Sequence, residues 1–190
     1  MEETRIIPFE NLEKFVKELK DKGEKIVLTL GVWDLLHVGH IRYMQAAKDK
    51  GTILIVGIDS DRLTKARKGE HRPIVPEGER IEMLQALRCV DYVVLKDNLE
   101  DNVELVRIIM PDILIISETT EDGKLEEIKK DRGHYCGEIV CLKPQAQTST
   151  TNRIREIVKI GSVDAFQVLM KDLEQVFDKH GIKFRGDGKE

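Results

Sequence analysis

Short runs of consecutive Val, Ile and Leu recur along the chain, separated by stretches in which apolar residues return every three or four positions. Lys25–Leu30 (KIVLTL), Thr52–Ile58 (TILIVGI), Asp91–Leu95 (DYVVL), Asp112–Ser117 (DILIIS) and Glu138–Leu142 (EIVCL) are of the first kind. They do not alternate apolar with polar residues, so they read as strands buried on both faces. Phe9–Lys20 is of the second kind: Leu12, Phe15, Val16 and Leu19 fall on one helical face, and Gly23 ends it. Gly31–His40 reads as a loop turning into a helix that shows Ile41, Met44 and Ala47 at helical spacing and stops near Gly51. Asp59–Arg72 is a polar, basic stretch. Pro76–Arg88, with Ile81, Leu84 and Leu87 inward, and Leu99–Met110 read as helices, and Asp122–Arg132 as a polar helix or loop. Helices are also expected over Thr151–Ile160 and Val163–His180, and a disordered tail over Arg185–Glu190.

This βαβα order predicts an α/β protein: a Rossmann-like parallel sheet with helices on both faces. Right-handed crossovers then bring every strand's C-terminus to one edge, where ligands bind near a topological switch point. The expected organisation is a domain over residues 1–161 that includes the N-terminal helix, a C-terminal helical extension over 162–184 and the tail over 185–190. The apolar positions Phe166, Leu169, Leu173, Val176 and Phe177 of the extension have helical spacing, which suits packing on the domain or on a partner.

Composition narrows the function classes. Lys+Arg 31 against Asp+Glu 35 gives a formal net charge of -4, and aromatics are only 5%. Both count against nucleic-acid binding, and the charge counts against an anionic membrane surface. Three cysteines, Cys89, Cys136 and Cys141, form no disulfide framework and suit a reducing compartment. No segment is long and apolar enough to span a bilayer, and the charged start is not followed by a signal-peptide core, so a cytoplasmic location is expected.

Three constellations carry chemistry. The first is Gly31-Val32-Trp33-Asp34-Leu-Leu-His37-Val-Gly39-His40, which follows a strand and opens a helix. Gly39 permits close approach of a ligand to the backbone, and the helix N-terminus offers unpaired N–H groups and positive potential, so a polyphosphate is the natural guest. His37 and His40 can donate to phosphate oxygens, more strongly as charge moves to a leaving pyrophosphate. The alternative, a solvated turn with two histidines, is disfavoured by its place after a buried strand. A permanent metal site lacks nearby carboxylate or cysteine spacing.

The second is Lys65–Arg80, where Lys65, Arg67, Lys68, Arg72 and Arg80 cluster in an otherwise acidic chain. Phosphoryl transfer needs such positive charge at the transferred phosphorus and the leaving group, although a solvated basic loop looks the same. The third is Thr148-Ser149-Thr150-Thr151, whose hydroxyls suit the N-cap of the following helix and, with its N–H groups, a phosphate. The two helix N-termini could converge on one triphosphate. His134, Cys136 and Cys141 match no common zinc spacing, and Cys141 falls in an expected buried strand. Cys89 reads as core, His71 as an exposed loop residue and His180 as a cation near a helix C-terminus.

Gly31–His40 resembles the G-x-F-D-x-x-H-x-G-H signature of the cytidylyltransferase-like nucleotidyltransferases, with Trp33 at the Phe position and Asp34 at the Asp. Lys68, Gly69, Arg72, Pro73, Pro76 and Arg80, followed by Ala86–Asp91, resemble the nucleotidyltransferase domain of bacterial heptose-1-phosphate adenylyltransferases, and Ser149–Thr151 resemble the family's second signature. The resemblance covers roughly Phe9–Ile160. It implies catalytic roles for His37, His40, Lys68 and Arg80. Nucleotide or phosphate contacts are implied at Gly31, Val32, Trp33, Asp34, Gly39, Lys65, Ser149, Thr150 and Thr151. It also implies a magnesium-bound nucleotide (Mg2+ held mainly by phosphates, with Asp34 as a candidate ligand) and a homodimer with Arg88–Val94 near its interface.

Three departures bear on the substrate. Ser117–Gly123 (SETTEDG) stands where the heptose enzymes carry Gly-Gly-Asp-Tyr. Gln145-Ala-Gln147 replaces an arginine found in glycerol-phosphate cytidylyltransferases. The run Val163–Lys183 extends beyond the family core. The expected reaction is transfer of a nucleotidyl group from an NTP to a sugar or polyol phosphate, with ATP and a heptose- or other sugar-1-phosphate first. CTP with glycerol-3-phosphate or a related alcohol phosphate comes second, and FAD formation from FMN third. The rival of another class is a nucleotide-binding regulatory module without turnover, which the retention of both histidines, Lys68, Arg80 and Ser-Thr-Thr counts against.

Overall fold

The structure, a computed structural model, describes residues 5–118, 125–146, 158–162, 164 and 167. The chain divides into two compact units, residues 1–147 and 148–190. In the second, residues 158–162, 164 and 167 are helical and the Ser162 hydroxyl donates to the Val158 carbonyl at 2.7 Å. The Ser149–Thr151 run and most of the expected C-terminal helix lie outside the described residues.

The first unit is built on five parallel strands: β1 (Ile26–Gly31), β2 (Ile53–Asp59), β3 (Tyr92–Lys96), β4 (Ile113–Ser117) and β5 (Glu138–Leu142), in the order β3-β2-β1-β4-β5. Among the described residues, six α-helices connect and cover them: α1 (Leu12–Asp21, led by a 3-10 turn over Phe9–Asn11), α2 (Val38–Lys48), α3 (Asp61–Lys68), α4 (Glu77–Gln85), α5 (Glu104–Ile109) and α6 (Leu125–Arg132). Alternate residues of each strand point to opposite faces. Leu28, Ile55, Val94 and Leu114 pack with Leu12 and Val16 of α1, Leu105 and Ile109 of α5, and Ile128 of α6. Val27, Leu54, Val56, Val93 and Ile115 pack with Tyr43, Met44 and Ala47 of α2 and with Leu84 of α4. Two apolar layers on one sheet explain why the strands are continuous hydrophobic runs.

Register is set by two aspartates that precede strands. The Asp112 carboxylate accepts the Ile26 amide at 2.7 Å, and Asp91 accepts the Leu54 amide and the Lys48 ammonium, both at 2.6 Å. The outer edge of β3 is closed by the N-terminal segment, whose Arg5 carbonyl and Ile7 amide both bond to Val93.

Four expectations are corrected. The basic stretch after Asp59 contains a helix, α3. Ser60 caps it by accepting the Leu63 amide at 3.0 Å, Leu63 and Thr64 are buried, and Gly69, at φ 94, ends it. Ile41, set by its spacing in one apolar row with Met44 and Ala47 on α2, is 45% exposed. A row at i, i+3 and i+6 drifts round the helix, and the buried face centres on Tyr43, Met44 and Ala47 instead, with the Tyr43 hydroxyl 3.1 Å from Thr29 Oγ1. The helix expected from Leu99 begins only at Glu104, because Asn98 and Asp101 accept the amides of Glu100, Asp101 and Val103 and hold turns there. Cys141, expected to be buried, is exposed, since β5 is an edge strand.

Asp91→Ala is expected to lower unfolding free energy by about 1–3 kcal/mol, because it strands a buried amide and a lysine charge. Urea unfolding measures this, and a change within error would show that the aspartate does not hold the β2 register.

Candidate active site

β1 lies between β2 and β4, where the connections change direction, and the segment leaving its C-terminal end is Val32–His37. Its backbone is unusual: Trp33 (φ 55) and Leu35 (φ 49) both adopt left-handed conformations. Each costs roughly 1–3 kcal/mol in a side-chain-bearing residue, so surrounding contacts must over-determine them.

Those contacts are present. The Trp33 indole is buried, donates to the Gly57 carbonyl of β2 at 3.1 Å and stands edge-on to His40 with ring centres 5.7 Å apart. A side chain at Gly31 would meet that indole at 2.9 Å, so glycine is required there by space. Asp34, only 4% exposed, accepts the Ile74 and Val75 amides at 3.0 Å on separate oxygens and pairs with Arg72 at 3.2 Å. Arg80, 1% exposed, closes the circle: its guanidinium donates to the carbonyls of Val75 (2.8 Å), Asp59 (3.0 Å) and Val32, and pairs with Asp61 at 2.7 Å.

The geometry bears on two of the expected site residues. Arg80 is engaged with protein acceptors throughout. Asp34 gives both oxygens to protein donors and presents no open carboxylate to a metal. Among the described residues no group of three His, Cys, Asp or Glu could hold a metal ion. A magnesium ion carried by a nucleotide would therefore find no open carboxylate at Asp34.

His37 is the N-cap of α2, and its Nδ1 accepts the Gly39 amide at 3.1 Å. His40, three residues on, returns the contact: its Nδ1 accepts the His37 amide at 3.3 Å. The pair forms a reciprocal capping box, made by imidazoles in place of the usual hydroxyl and carboxylate. A side chain at Gly39 would lie 2.8 Å from the His37 ring and 3.1 Å from Ala146, which follows β5. The two rings are half-buried, with centres 4.0 Å apart and planes tilted by 30°.

Because each Nδ1 accepts a backbone N–H, the proton of each neutral ring resides on Nε2. Burial pushes the His40 imidazole from 6.5 down to about 4; His37 acts in the same direction and Asp34 partly opposes it. At neutral pH the His40 ring is therefore an uncharged Nε2–H donor at the positive end of α2.

Of the basic cluster, Arg67 and Arg72 are engaged with Asp59 and Asp34. Lys65 and Lys68, on the last turns of α3, are exposed and make no hydrogen bond or ion pair among the described residues, which leaves their charges available to an anion. His71 is exposed, as expected, and Cys89 is buried. Asp59, Lys96 and Asn102, which the sequence reading did not single out, meet at the same sheet edge.

The cytidylyltransferase-like family profile matches residues 28–157. The bifunctional protein HldE of Geobacter metallireducens is 35% identical over 158 residues, covering 83% of this chain and 32% of that protein. HldE of Nitratiruptor sp. is 45% identical over 107 residues, covering 56% of this chain and 23% of that protein. The chain thus spans a third or less of the length of these curated relatives. The lipopolysaccharide core biosynthesis protein of Thermoplasma volcanium superposes with a TM-score of 0.55 at 28% identity, over 64% of this chain and 98% of that one. Pantoate-beta-alanine ligase of Francisella tularensis, at 18% identity and a TM-score of 0.56 over 80% of this chain and 73% of that one, shares the fold.

Two outcomes follow from this geometry. Arg80→Met is expected to destabilise the chain by about 3–5 kcal/mol, and Arg80→Lys to recover little of it, because an ammonium cannot reproduce the fork. If Arg80→Lys unfolds in urea like the wild type, the loop is held by something else. The folded His40 value lies below the unfolded one, so the stability associated with its neutral ring is complete above about pH 6.5 and is lost as pH falls through about 4. Unfolding free energies measured across that window should fall less steeply in His40→Asn; parallel slopes would mean that His40 is not depressed.

Proposed function

Because the chain belongs to the cytidylyltransferase-like nucleotidyltransferase family, we propose that it transfers a nucleotidyl group from an NTP to a sugar or polyol phosphate and releases pyrophosphate. ATP and a sugar-1-phosphate of the heptose type are the leading pair. The resemblance of Lys68–Asp91 to heptose-1-phosphate adenylyltransferases and the kinship with HldE proteins support that choice.

One observation carries the reading: both imidazoles of the capping box turn Nδ1 to the backbone and keep the proton on Nε2, beside the first turn of α2. An acceptor phosphate oxygen attacks the α-phosphorus, and the bond from that phosphorus to the bridging oxygen breaks. The electron pair leaves with pyrophosphate. The acceptor is already ionised, so no general base is needed. Charge grows on the leaving group, and that is where neutral N–H donors and the end of a helix stabilise most. Lys65 and Lys68 supply mobile positive charge to the same phosphates. Magnesium, expected with the nucleotide, is assigned to phosphate oxygens, since Asp34 is occupied by the Ile74 and Val75 amides.

The test is a pyrophosphate-release screen of four NTPs against a panel of sugar and alcohol phosphates with magnesium. Turnover is expected with one NTP and a phosphorylated acceptor. His40→Ala should fold and lose about 100-fold or more in kcat/KM. Near-native turnover by that variant would remove the imidazole from the mechanism.

A further inference from the structure

Asp59 and Lys96 are register partners at the last positions of β2 and β3. Lys96 is only 3% exposed, although it ends an apolar strand with a charge. Its ammonium donates to Asn102 Oδ1, in the turn before α5. Arg67 of α3 donates to the same oxygen at 2.9 Å with one nitrogen and pairs with Asp59 at 3.4 Å through another. Two cations thus meet on one neutral amide oxygen.

Among the described residues, the charged groups around Lys96 do not balance. Asp59 and Asp101 face it as anions, Arg67 and Arg132 as cations. Asp101 is held by Arg107 at 2.7 Å, which leaves Asp59 against Lys96, Arg67 and Arg132. A buried charge is stable when opposite charge matches it, and the described groups around the Lys96 ammonium carry a surplus of positive charge instead. Burial, and Arg67 and Arg132 against the opposing pull of Asp59 and Asp101, leave the Lys96 ammonium lowered to about 8. Arg67, with a side chain 33% exposed, opens the cluster to solvent.

The cluster also lies where a ligand would need it. β2 adjoins β1, whose loop carries His37 and His40, and β3 is the next strand out. Strands lie about 4.8 Å apart, so an anion at this edge would sit beside a triphosphate on α2, not on top of it. We propose that Arg67, Lys96 and Asn102 form a second anion subsite at the ends of β2 and β3, which takes the phosphate of the acceptor. Its assignment to the acceptor rests on the nucleotidyltransferase reading; its affinity for a phosphate does not.

The test uses the full chain labelled with carbon-13 at lysine Cε, with the Lys96 signal identified by its loss in Lys96→Arg. It is titrated with pH in inorganic phosphate and in chloride of equal ionic strength. The Lys96 midpoint, about 8 in chloride, should rise by about one unit or more in phosphate, and Arg67→Met should abolish the difference. Asn102→Asp keeps the acceptor oxygen and adds the missing negative charge. It should raise the midpoint without phosphate and remove the phosphate response, a result available even if Arg67→Met does not fold. Equal wild-type midpoints in the two salts would overturn the subsite, as would a phosphate response that persists in Asn102→Asp. If ATP or CTP perturbs the His40 ring signals while phosphate leaves Lys96 unmoved, the subsite fails alone; if no NTP perturbs His40, the nucleotidyltransferase reading fails.

Discussion

The buried Arg80 guanidinium holds the candidate site in shape. It reaches the carbonyls of Val32 and Asp59 at the ends of two neighbouring strands, the Val75 carbonyl on its own approach and the Asp61 carboxylate at the start of α3. Asp34 answers from the other side by accepting the Ile74 and Val75 amides. The loop after β1 and the segment before α4 are thereby tied at both polarities, around an Arg80 and an Asp34 that are themselves buried. Such bonds are strong where the dielectric is low, and the same low dielectric makes any missing partner expensive. This is the compensation that lets Trp33 and Leu35 keep left-handed backbones.

Given a rigid loop, the two histidines have little freedom. Their three-residue separation is the separation of the N-cap and N3 positions of a helix, so each ring can satisfy an amide that the helix leaves unpaired. The spacing that marks the motif is thus first a capping geometry. Its chemical consequence is the tautomer: with Nδ1 committed to the backbone, Nε2 carries the proton. Burial of His40 beside His37 then keeps that ring neutral well into acid. A neutral donor that does not titrate near neutrality suits a site whose charge changes during reaction.

Legibility varied with how local the cause was. Strand identity, parallel order and the loop-to-helix turn were readable because runs such as TILIVGI and DILIIS have one sensible environment, and because the two histidines stand at capping distance. Arg80 was readable as important but not in its role. A basic residue in a basic stretch reads as a phosphate clamp until its partners, up to 48 residues away in sequence, are known. Helix α3 was missed because its polar face hid two buried positions, Leu63 and Thr64. Lys96 escaped because a single lysine after an apolar run has no periodicity to betray burial.

The sequence by itself determined the layered α/β class, the place of the two-histidine turn at the sheet edge and the family resemblance, since these depend on hydrophobic runs, capping residues and short motifs that act over a few positions. The tertiary structure alone decided which cations pair with carboxylates of the chain and which do not. Lys65, Arg67, Lys68, Arg72 and Arg80 are alike in composition. Asp59, Asp34 and Asp61, together with backbone carbonyls brought from other strands, bind three of them and leave Lys65 and Lys68 exposed. Charge pairing depends on distance in space, and chain order does not contain that distance until the sheet is assembled.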